Sequence, residues 1–296
     1  MHISVCIPTY MRPRLLNKCL DALQNQKVDS FSYSAVVVDN DADCSARVVV
    51  EQWQHRSGVD VKYEVEPLQN ISLARNRAVA ASGGDLIAFI DDDEFPEPTW
   101  LLELHRTYRR FPVDGVLGPV LPYFEGTPPQ WLVKSGLCVR TAFTTGTVLS
   151  VSKYMRTGNV LLRRHLLGGK EPPFDPSRGR TGGEDTAFFA SMLRQGRSFV
   201  WCNEARVYEA VPQERQQRSY YVQRALTRGV TEAENEPLLS FGTVKSLVAV
   251  VLYSASLPFF LLVGHYLFMK FLEKDCQHLA KLLAHAGIRL VETRAL

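Results

Sequence analysis

Short apolar runs and amphipathic segments alternate along the first hundred residues. Strand-like runs occupy 3–7, 33–38, 61–65 and 86–90, and helix-like periodicity covers 12–26, 46–53 and 70–80. Alternation of this kind favours parallel strands joined by right-handed crossovers. The pattern predicts an α/β fold built on a mostly parallel, doubly wound sheet.

The run from Leu86 to Ile90 is followed at once by Asp91, Asp92, Asp93 and Glu94. It predicts a parallel strand buried on both faces, with the acids at its carboxyl end, where open α/β sheets bind ligands. Because side chains alternate along extended chain, Asp91 and Asp93 are expected to point one way and Asp92 the other. Two converging carboxylates suit a hard divalent cation, Mg²⁺ or Mn²⁺.

The same acids could instead cap a helix beginning near Glu97, where the helix dipole favours negative charge. One or two acids would serve that purpose, whereas the chain has four in succession. Their number therefore favours a ligand site.

Two further acidic positions admit two interpretations each. Asp39 closes the second strand, where it either binds a ribose or base or simply forms a turn with Asn40 and Asp41. Asp185 follows Gly182, Gly183 and Glu184 at the start of a helix. A carboxylate held ionised there can act as a general base, or it is an ordinary acidic helix start.

Beyond residue 100 the pattern is less regular. Strands are expected at 115–121, 157–162 and 198–207, and the stretch 168–183, dense in Gly, Pro and Arg, is expected to be a mobile loop. A helix is expected around 220–226. The arginines near it, Arg215, Arg218, Arg224 and Arg228, suit a diphosphate clamp, a solvated face or contact with anionic lipid.

Composition narrows the class of protein. The net charge of +3 is too mild to argue for nucleic acid. The six cysteines form no Cys-x-x-Cys pair, which indicates reduced thiols in a cytosolic protein. No Gly-x-Gly-x-x-Gly follows the first strand, which disfavours dinucleotide binding. The amino terminus lacks a leader-like stretch, so we expect that part of the chain in the cytoplasm.

One apolar stretch near the carboxyl terminus suggests a membrane. Residues 247–269 contain no Asp, Glu, Lys or Arg. The stretch is long enough for a spanning helix, although Pro258 divides it. The tail after it carries a slight excess of positive charge and so disfavours export. A re-entrant or interfacial helical hairpin is favoured over a single span, and a buried helix of a soluble fold is the third alternative.

Six short motifs in order resemble glycosyltransferase family 2, the large inverting family with the GT-A fold. The resemblance covers about residues 3 to 230 and is greatest to bacterial exopolysaccharide enzymes of the succinoglycan glucosyltransferase type. The motifs are Val5-Cys6-Ile7-Pro8-Thr9-Tyr10, Val37-Val38-Asp39-Asn40, Ala74-Arg75-Asn76-Arg77-Ala78, Phe89-Ile90-Asp91-Asp92-Asp93-Glu94, Thr157-Gly158-Asn159-Val160 and Gly182-Gly183-Glu184-Asp185.

The resemblance implies a role for each matching residue. Asp185 would be the catalytic base, supported by Glu184 and Arg215. Asp93 and Asp91 would hold Mg²⁺ or Mn²⁺, with Glu209 standing where many relatives place a histidine ligand. The donor-binding residues would be Pro8, Tyr10, Asp39, Arg75, Asp91 and Asp92.

The resemblance also implies an activity and a location. The enzyme would move one sugar from a nucleotide-diphosphate sugar, with UDP favoured, to a hydroxyl of a lipid-linked or glycan acceptor during bacterial cell-surface glycan synthesis. Residues 1–235 would form the GT-A domain, with a donor half at 1–112 and an acceptor half at 113–235. Residues 236–296 would attach to membrane lipid through 247–269, at the cytoplasmic face of the inner membrane.

Two other classes stay open. A sugar nucleotidyltransferase has a similar sheet but normally a Gly-rich basic loop after the first strand, where this chain has Pro8-Thr9-Tyr10. A membrane-tethered scaffold without activity is the other, and the joint presence of Asp91, Asp93 and Asp185 speaks against it.

Overall fold

The computed structural model describes residues 1–169, 171–180 and 182–291, apart from the side chain of Asn235. Its strands are β1 (His2–Thr9), β2 (Ser32–Asp39), β3 (Val61–Val65), β4 (Leu86–Ile90), β5 (Glu94–Pro96), β6 (Gly115–Leu117), β7 (Val120–Tyr123), β8 (Asn159–Arg163), β9 (Phe199–Trp201) and β10 (Val207–Ala210). Its helices are α1 (Pro13–Gln24), α2 (Arg47–Arg56), α3 (Ile71–Ala81), α4 (Trp100–Arg110), α5 (Gln130–Ser135), α6 (Glu184–Arg194), α7 (Arg218–Asn235), α8 (Phe241–Val263) and α9 (His265–His285).

Seven strands form the main sheet in the order β3-β2-β1-β4-β8-β6-β9. The first four are parallel to one another, β8 is antiparallel to both of its neighbours, and β6 and β9 are parallel. The prediction of a mostly parallel sheet is confirmed. The strand predicted to be parallel at 86–90 is parallel to β1 on one edge, but on its other edge it pairs with β8, which runs antiparallel to it.

Alternate residues of the central strands enter two separate cores. Val5, Ala88 and Ile90 pack in one apolar cluster, whereas Cys6 and Phe89 pack in the other. Period-two alternation places neighbouring side chains on opposite faces of a sheet, so a strand that is apolar at every position is buried on both faces. The doubly wound arrangement is thus confirmed.

Three predicted elements differ from the structure. The strand expected at 115–121 divides into β6 and β7 around Gly118-Pro119, and the one expected at 198–207 divides into β9 and β10. The helix expected near Glu97 begins at Trp100, because β5 intervenes and pairs with β10. None of the four acids therefore caps α4.

The chain divides into two compact units. The first comprises residues 1–121 and 140–209, and the second comprises 122–139 and 210–296, of which 292–296 lie outside the described residues. This division differs from the expected domain boundary at 235/236, because α7 packs against α9 within the second unit.

The second unit is helical. Within the described residues, α8 is the one helix long and apolar enough to cross a membrane. It runs through Pro258 without interruption and ends at Val263, and after Gly264 the helix α9 begins at His265 and packs back against it. The apolar stretch expected at 247–269 is therefore an uninterrupted helix followed by a turn and a second helix.

Candidate active site

The four acids after β4 lie in a tight turn. The N–H of Glu94 donates to the carbonyl of Asp91 at 3.1 Å, and the N–H of Asp91 donates to Glu94 Oε2 at 3.1 Å. Gly158, beside β8, makes room for the buried Glu94 side chain, since a Cβ there would stand 2.5 Å from Glu94 Oε1. The turn fixes where each of the other acids points.

The turn also overrides strand alternation. Asp92 accepts a hydrogen bond from Thr9 Oγ1 at 2.8 Å, and Arg12 Nη1 contacts Asp92 Oδ1 at 3.2 Å and Asp93 Oδ2 at 3.1 Å. Asp91 instead faces Arg75. Asp92 and Asp93 thus share a contact with Arg12, although alternation along an extended chain predicts opposite directions for the two side chains, because extended backbone ends at Ile90. Asp91 is nevertheless the strongest negative neighbour of Asp93.

Negative charge accumulates at this turn. Burial, followed by repulsion from Asp91, Asp92 and Glu209, raises the pKa of Asp93 to about 7, against the attraction of Arg12. Burial and then Asp91 raise the pKa of Glu94 well above its ordinary value. The turn thus holds more carboxyl groups than the neighbouring arginines neutralise, so their simultaneous ionisation is unfavourable without a further cation.

A buried arginine connects this turn to the start of α6. Arg75, on α3, places Nη2 at 3.1 Å from Asp91 Oδ1 and Nη1 at 2.5 Å from Glu184 Oε1. Its side chain is only 6% exposed. Two motifs that lie far apart in the sequence are therefore joined through one guanidinium.

Asp185 follows Glu184 in the first turn of α6. Gly182 and Gly183 precede it with φ of +87° and +86°, a backbone region that favours glycine. Asp185 Oδ1 accepts the N–H of Thr186 at 2.6 Å, and Asp185 Oδ2 lies 3.5 Å from Arg156 Nε. The carboxylate is thus held by a backbone donor and a cation near the helix start.

Asp39 is fully buried at the end of β2. Its Oδ2 accepts the N–H of Ala46 at 2.7 Å and the hydroxyl of Tyr63 at 2.8 Å, while its Oδ1 has no partner among the described residues. An orphaned buried acceptor is costly, so a donor from a ligand would be favourable here.

Asn40 has a structural task instead. It donates to the carbonyls of Glu66 and Leu68 and accepts the N–H of Asn70, the residue that caps α3. These bonds tie the ends of β2 and β3 to the start of the helix that carries Arg75.

The remaining predicted site residues lie at different places. Pro8 is buried in β1 opposite Val38, and Tyr10 is exposed just after that strand. Glu209, on β10, forms an ion pair with Arg140 and adds to the charge around Asp93. Arg215 belongs to the second unit, in a short 3₁₀ turn.

The described part of 168–183 is anchored to α3. Asn76 donates to the carbonyl of Phe174 at 2.7 Å and accepts its N–H at 3.0 Å, and Asn70 donates to the carbonyl of Pro176. Phe174 itself is fully buried. The predicted mobile loop includes Lys170 and Thr181, which lie outside the described residues, and its mobility stays a prediction.

The acids suit a divalent ion held partly by substrate. No group of three or more His, Cys, Asp or Glu side chains in the described residues forms a complete metal cage. Mg²⁺ commonly uses one or two carboxylates and takes its other ligands from water and substrate phosphates. The undercompensated charge around Asp91 and Asp93 fits that mode of binding.

Three arginines of the site were not expected from the sequence. Arg12 contacts Asp92 and Asp93, Arg140 pairs with Glu209, and Arg156 contacts Asp185. Arg12 follows the end of β1, and only the strand order shows that β1 lies beside β4. Arg156 immediately precedes the Thr157-Gly158-Asn159-Val160 motif, a proximity that could have drawn attention to it.

Comparison with known proteins agrees with this arrangement. The mostly parallel sheet with an acidic strand end has the GT-A fold of glycosyltransferases. The chain belongs to glycosyl transferase family 2, whose sequence pattern it matches over residues 4–168.

Individual relatives extend the match. The chain is 35% identical over 237 residues to the succinoglycan biosynthesis protein ExoM of Rhizobium meliloti (strain 1021), covering 78% of this chain and 74% of that protein. It is 28% identical over 246 residues to the hyaluronan synthase of Pasteurella multocida, covering 71% of this chain and 24% of that enzyme.

Solved structures support the fold alone. S. aureus TarS 1-349 in complex with UDP aligns with a TM-score of 0.58 at 16% identity, covering 97% of this chain and 92% of that one. The same protein in complex with UDP-GlcNAc aligns with a TM-score of 0.55 at 16% identity, covering 97% and 93%.

Proposed function

We propose that this glycosyltransferase moves one sugar, with inversion, from a UDP-sugar to a hydroxyl of a lipid-linked or glycan acceptor in bacterial exopolysaccharide synthesis. The observation that carries the proposal is the contact of Arg75 with both Asp91 and Glu184. It joins the acidic strand end, which would bind the cation, to the start of α6, where Asp185 would act as the base. The likeness to ExoM supports the pathway, and the TarS complexes with UDP and UDP-GlcNAc support the donor.

The donor would lie along the carboxyl ends of β1, β2 and β4. The unpartnered Oδ1 of Asp39 would accept an N–H of the nucleotide base. Because this oxygen is buried, the residues that cover it would have to move when the donor binds. Pro8 and Tyr10 would line the same region, with Arg75 and Asp92 holding the strand ends in register. Each of these side chains binds or orients and none takes part in bond making.

Asp91 and Asp93 would hold Mg²⁺ or Mn²⁺, with Glu209 beside them. When bound, the ion neutralises charge that develops on the departing diphosphate. Arg140 keeps Glu209 in place through their ion pair. Family 2 enzymes generally use a divalent ion, and the unbalanced charge around Asp93 is the feature of this chain that favours one.

Asp185 would act directly on the acceptor. It takes the proton of the acceptor hydroxyl, whose oxygen forms a bond to the anomeric carbon as the bond to the diphosphate breaks and UDP leaves with its electron pair. Arg156 and the N–H of Thr186 orient the carboxylate, whereas Glu184 is engaged with Arg75. General-base assistance of this kind is worth about 10²- to 10⁴-fold in rate.

Calorimetric titration with UDP tests the donor site. Binding to the wild type is expected to require Mn²⁺ or Mg²⁺ and to be lost in Asp93→Ala. The matched control is Asp60→Ala, which removes an exposed acid of the same unit. Asp185→Asn is expected to bind UDP normally while transfer falls by about 10²- to 10⁴-fold.

The outcomes separate the alternatives. UDP binding without transfer or donor hydrolysis by the wild type would favour the scaffold. Formation of a nucleotide sugar from a nucleoside triphosphate and a sugar phosphate would favour the nucleotidyltransferase. We place the reaction at the cytoplasmic face of the inner membrane, where a lipid-linked acceptor would meet a soluble donor.

A further inference from the structure

One face of α8 is apolar and uncovered along the whole helix. Val244, Val248, Val251, Leu252, Phe259 and Leu262 recur at helical spacing, and each is between 54% and 87% exposed. A 23-residue helix is about 35 Å long. A continuous apolar stripe of that length is unusual for a surface in contact with water.

The opposite face of α8 is bonded to α9. Thr243 Oγ1 lies 3.4 Å from His285 Nε2, Ser246 Oγ lies 3.0 Å from His278 Nδ1, and Ser254 Oγ donates to both oxygens of Asp275 at 3.1 and 3.2 Å. Phe260 stacks on Phe271 with ring centroids 3.9 Å apart. The two helices therefore run antiparallel in contact over most of their length.

The other side of α9 is polar and is bonded to α7. Arg228 pairs with Glu273 at 3.2 Å, Gln277 bonds to Glu232 at 2.5 Å, and Lys281 pairs with Glu236, just after α7. Gly229 of α7 lies so close to α9 that a Cβ would stand 2.2 Å from the carbonyl oxygen of Gln277. The three helices thus form one layered structure with a polar middle.

This layering determines how α8 can meet a bilayer. If α8 spanned the membrane, α9 and its ion pairs with α7 would enter hydrocarbon beside it, which each charged group strongly opposes. If α8 lies in the plane of the membrane surface, its apolar stripe enters the lipid and α9 and α7 stay in water. An interfacial helix with one apolar face and a polar backing has this arrangement.

The charges of the hairpin fit an anionic surface. Lys245 near the start of α8 and Lys270 near the start of α9 form no ion pair in the described residues, and Lys274, near the middle of α9, lies over the rings of Tyr253 and Phe271. Lys245 and Lys270 lie toward opposite ends of the antiparallel pair, so both ends of an in-plane helix would present a cation to lipid headgroups. The stripe itself offers no hydrogen-bonding side chains, whereas protein interfaces carry about one hydrogen bond per 100–200 Å².

We infer that the α8–α9 hairpin is a monotopic membrane anchor whose apolar stripe lies flat in the surface of an anionic bilayer, without crossing it. The inference rests on the proposed function only for the purpose of the anchor, which is to keep the active site close to a lipid-linked acceptor. Its geometry depends on the second unit alone.

Vesicle co-sedimentation of the full chain tests the surface. Binding to vesicles of phosphatidylcholine with phosphatidylglycerol is expected to exceed binding to phosphatidylcholine alone and to weaken at high salt. The double variant Val251→Gln/Leu252→Gln is expected to lower the partition coefficient by about tenfold or more. Val48→Gln/Leu68→Gln, two equally exposed positions in the first unit, should leave it unchanged.

The depths of three spin labels in the bilayer distinguish a helix α8 that lies in the membrane surface from one that spans the membrane. Labels on Val244→Cys, Val251→Cys and Leu262→Cys, with Cys44, Cys138 and Cys276 replaced by Ser, are expected at similar shallow depths of about 5–10 Å below the headgroups. A label near the bilayer centre between two shallow ones would show a span and overturn the inference. The inference would also be overturned if the wild type failed to bind vesicles, or if the wild type formed a dimer and the double variant were a monomer.

Calorimetric titration of the double variant with UDP and Mn²⁺ keeps the two proposals apart. Retained UDP binding with lost vesicle binding supports the anchor. Lost UDP binding in Asp93→Ala with retained vesicle binding bears on the donor site alone.

Discussion

Asp93 is a carboxyl group on which burial and neighbouring charge act in the same direction, and both raise its pKa. A buried carboxylate among Asp91, Asp92 and Glu209 opposes its own ionisation, and Arg12 offsets only part of this. Because the pKa in the folded state, about 7, is above the value of about 3.9 expected when unfolded, the protonated form favours folding. Stability of the metal-free protein should therefore fall as pH rises from about 4 to 7 and level off above.

Asp93→Asn should remove this fall. In EDTA, the free energy of unfolding of the variant relative to wild type is expected to be higher at pH 8 than at pH 5 by up to about 3 kcal/mol. Urea unfolding at the two pH values measures it, with Asp60→Asn as the exposed control. An equal effect of Asp93→Asn at both pH values would mean that the carboxyl group is ionised throughout this range.

Arg75 acts through two nitrogens that point to two different elements. A lysine retains the charge but has a single ammonium group, which cannot reproduce a fork between Asp91 and Glu184. Arg75→Lys should fold and lower the transfer rate by about 10- to 100-fold, because α6 and the β4 turn lose their common link.

Arg75→Met should also destabilise the protein, by about 3–5 kcal/mol, since it leaves carboxylates without their buried cation. The control is Arg77→Met on the same helix, where the side chain is 40% exposed and its pairs with Glu64 and Glu66 are worth little. Chemical denaturation and initial transfer rates provide the two measurements. Similar losses for the two methionine variants would contradict a special role for Arg75.

At the scale of elements, Gly158 connects β8 to the acidic turn. The added methyl group of Gly158→Ala would stand 2.5 and 2.8 Å from the two oxygens of Glu94, which is buried and accepts the N–H of Asp91. The side chain must move, at a cost of about 1–3 kcal/mol for overpacking.

The movement should distort the turn that positions Asp91 and Asp93, so the affinity for UDP with Mn²⁺ is expected to fall together with stability. Gly58→Ala is the control, because nothing lies within 4 Å of a Cβ at that position. Thermal unfolding and UDP titration of both variants measure the effects. Normal affinity in Gly158→Ala would show that the turn holds its shape without Glu94 in place.

An element was predicted accurately where residues close together in the sequence determine it, and less accurately where it depends on contacts with distant residues. The apolar runs of β1 to β4 are bounded by polar or glycine residues, and local periodicity located these strands to within about two residues. Apolar content persists across β6 and β7, where Gly118 leaves no space for a side chain beside Asn159, so the break depends on a distant residue. The local sign of the break is the Gly118-Pro119 pair, which is typical of a turn.

The same distinction applies to the site. The acids and the helix start at Asp185 were found because each motif is contiguous. The contacts of Arg12 with Asp92 and of Arg156 with Asp185 join segments 80 and 29 residues apart and depend on strand order. The contact with Arg12 that Asp92 and Asp93 share was not predicted, because a turn stands where an extended chain was expected.

At the scale of the whole molecule, the two compact units separate the proposed tasks. All residues proposed to bind the donor, the ion and the acceptor hydroxyl lie in the first unit, whereas α8 and α9 lie in the second. A ligand that binds only the folded state stabilises it by about 2.7 kcal/mol at a hundred times its dissociation constant. This stabilisation should first reduce local opening reactions in the unit that binds the ligand.

Hydrogen exchange of the full chain with UDP and Mn²⁺ should therefore slow in three stretches of the first unit: residues 39–46, the start of α3, and the turn at 91–94. Peptides from α8 and α9 should exchange at unchanged rates with UDP and more slowly when anionic vesicles are added. Asp93→Ala should lose the first effect and keep the second, and Val251→Gln/Leu252→Gln should do the reverse. If UDP stabilised the whole molecule, exchange would slow in both units together. Protection of α8 and α9 by UDP without vesicles would therefore contradict independent donor and membrane sites.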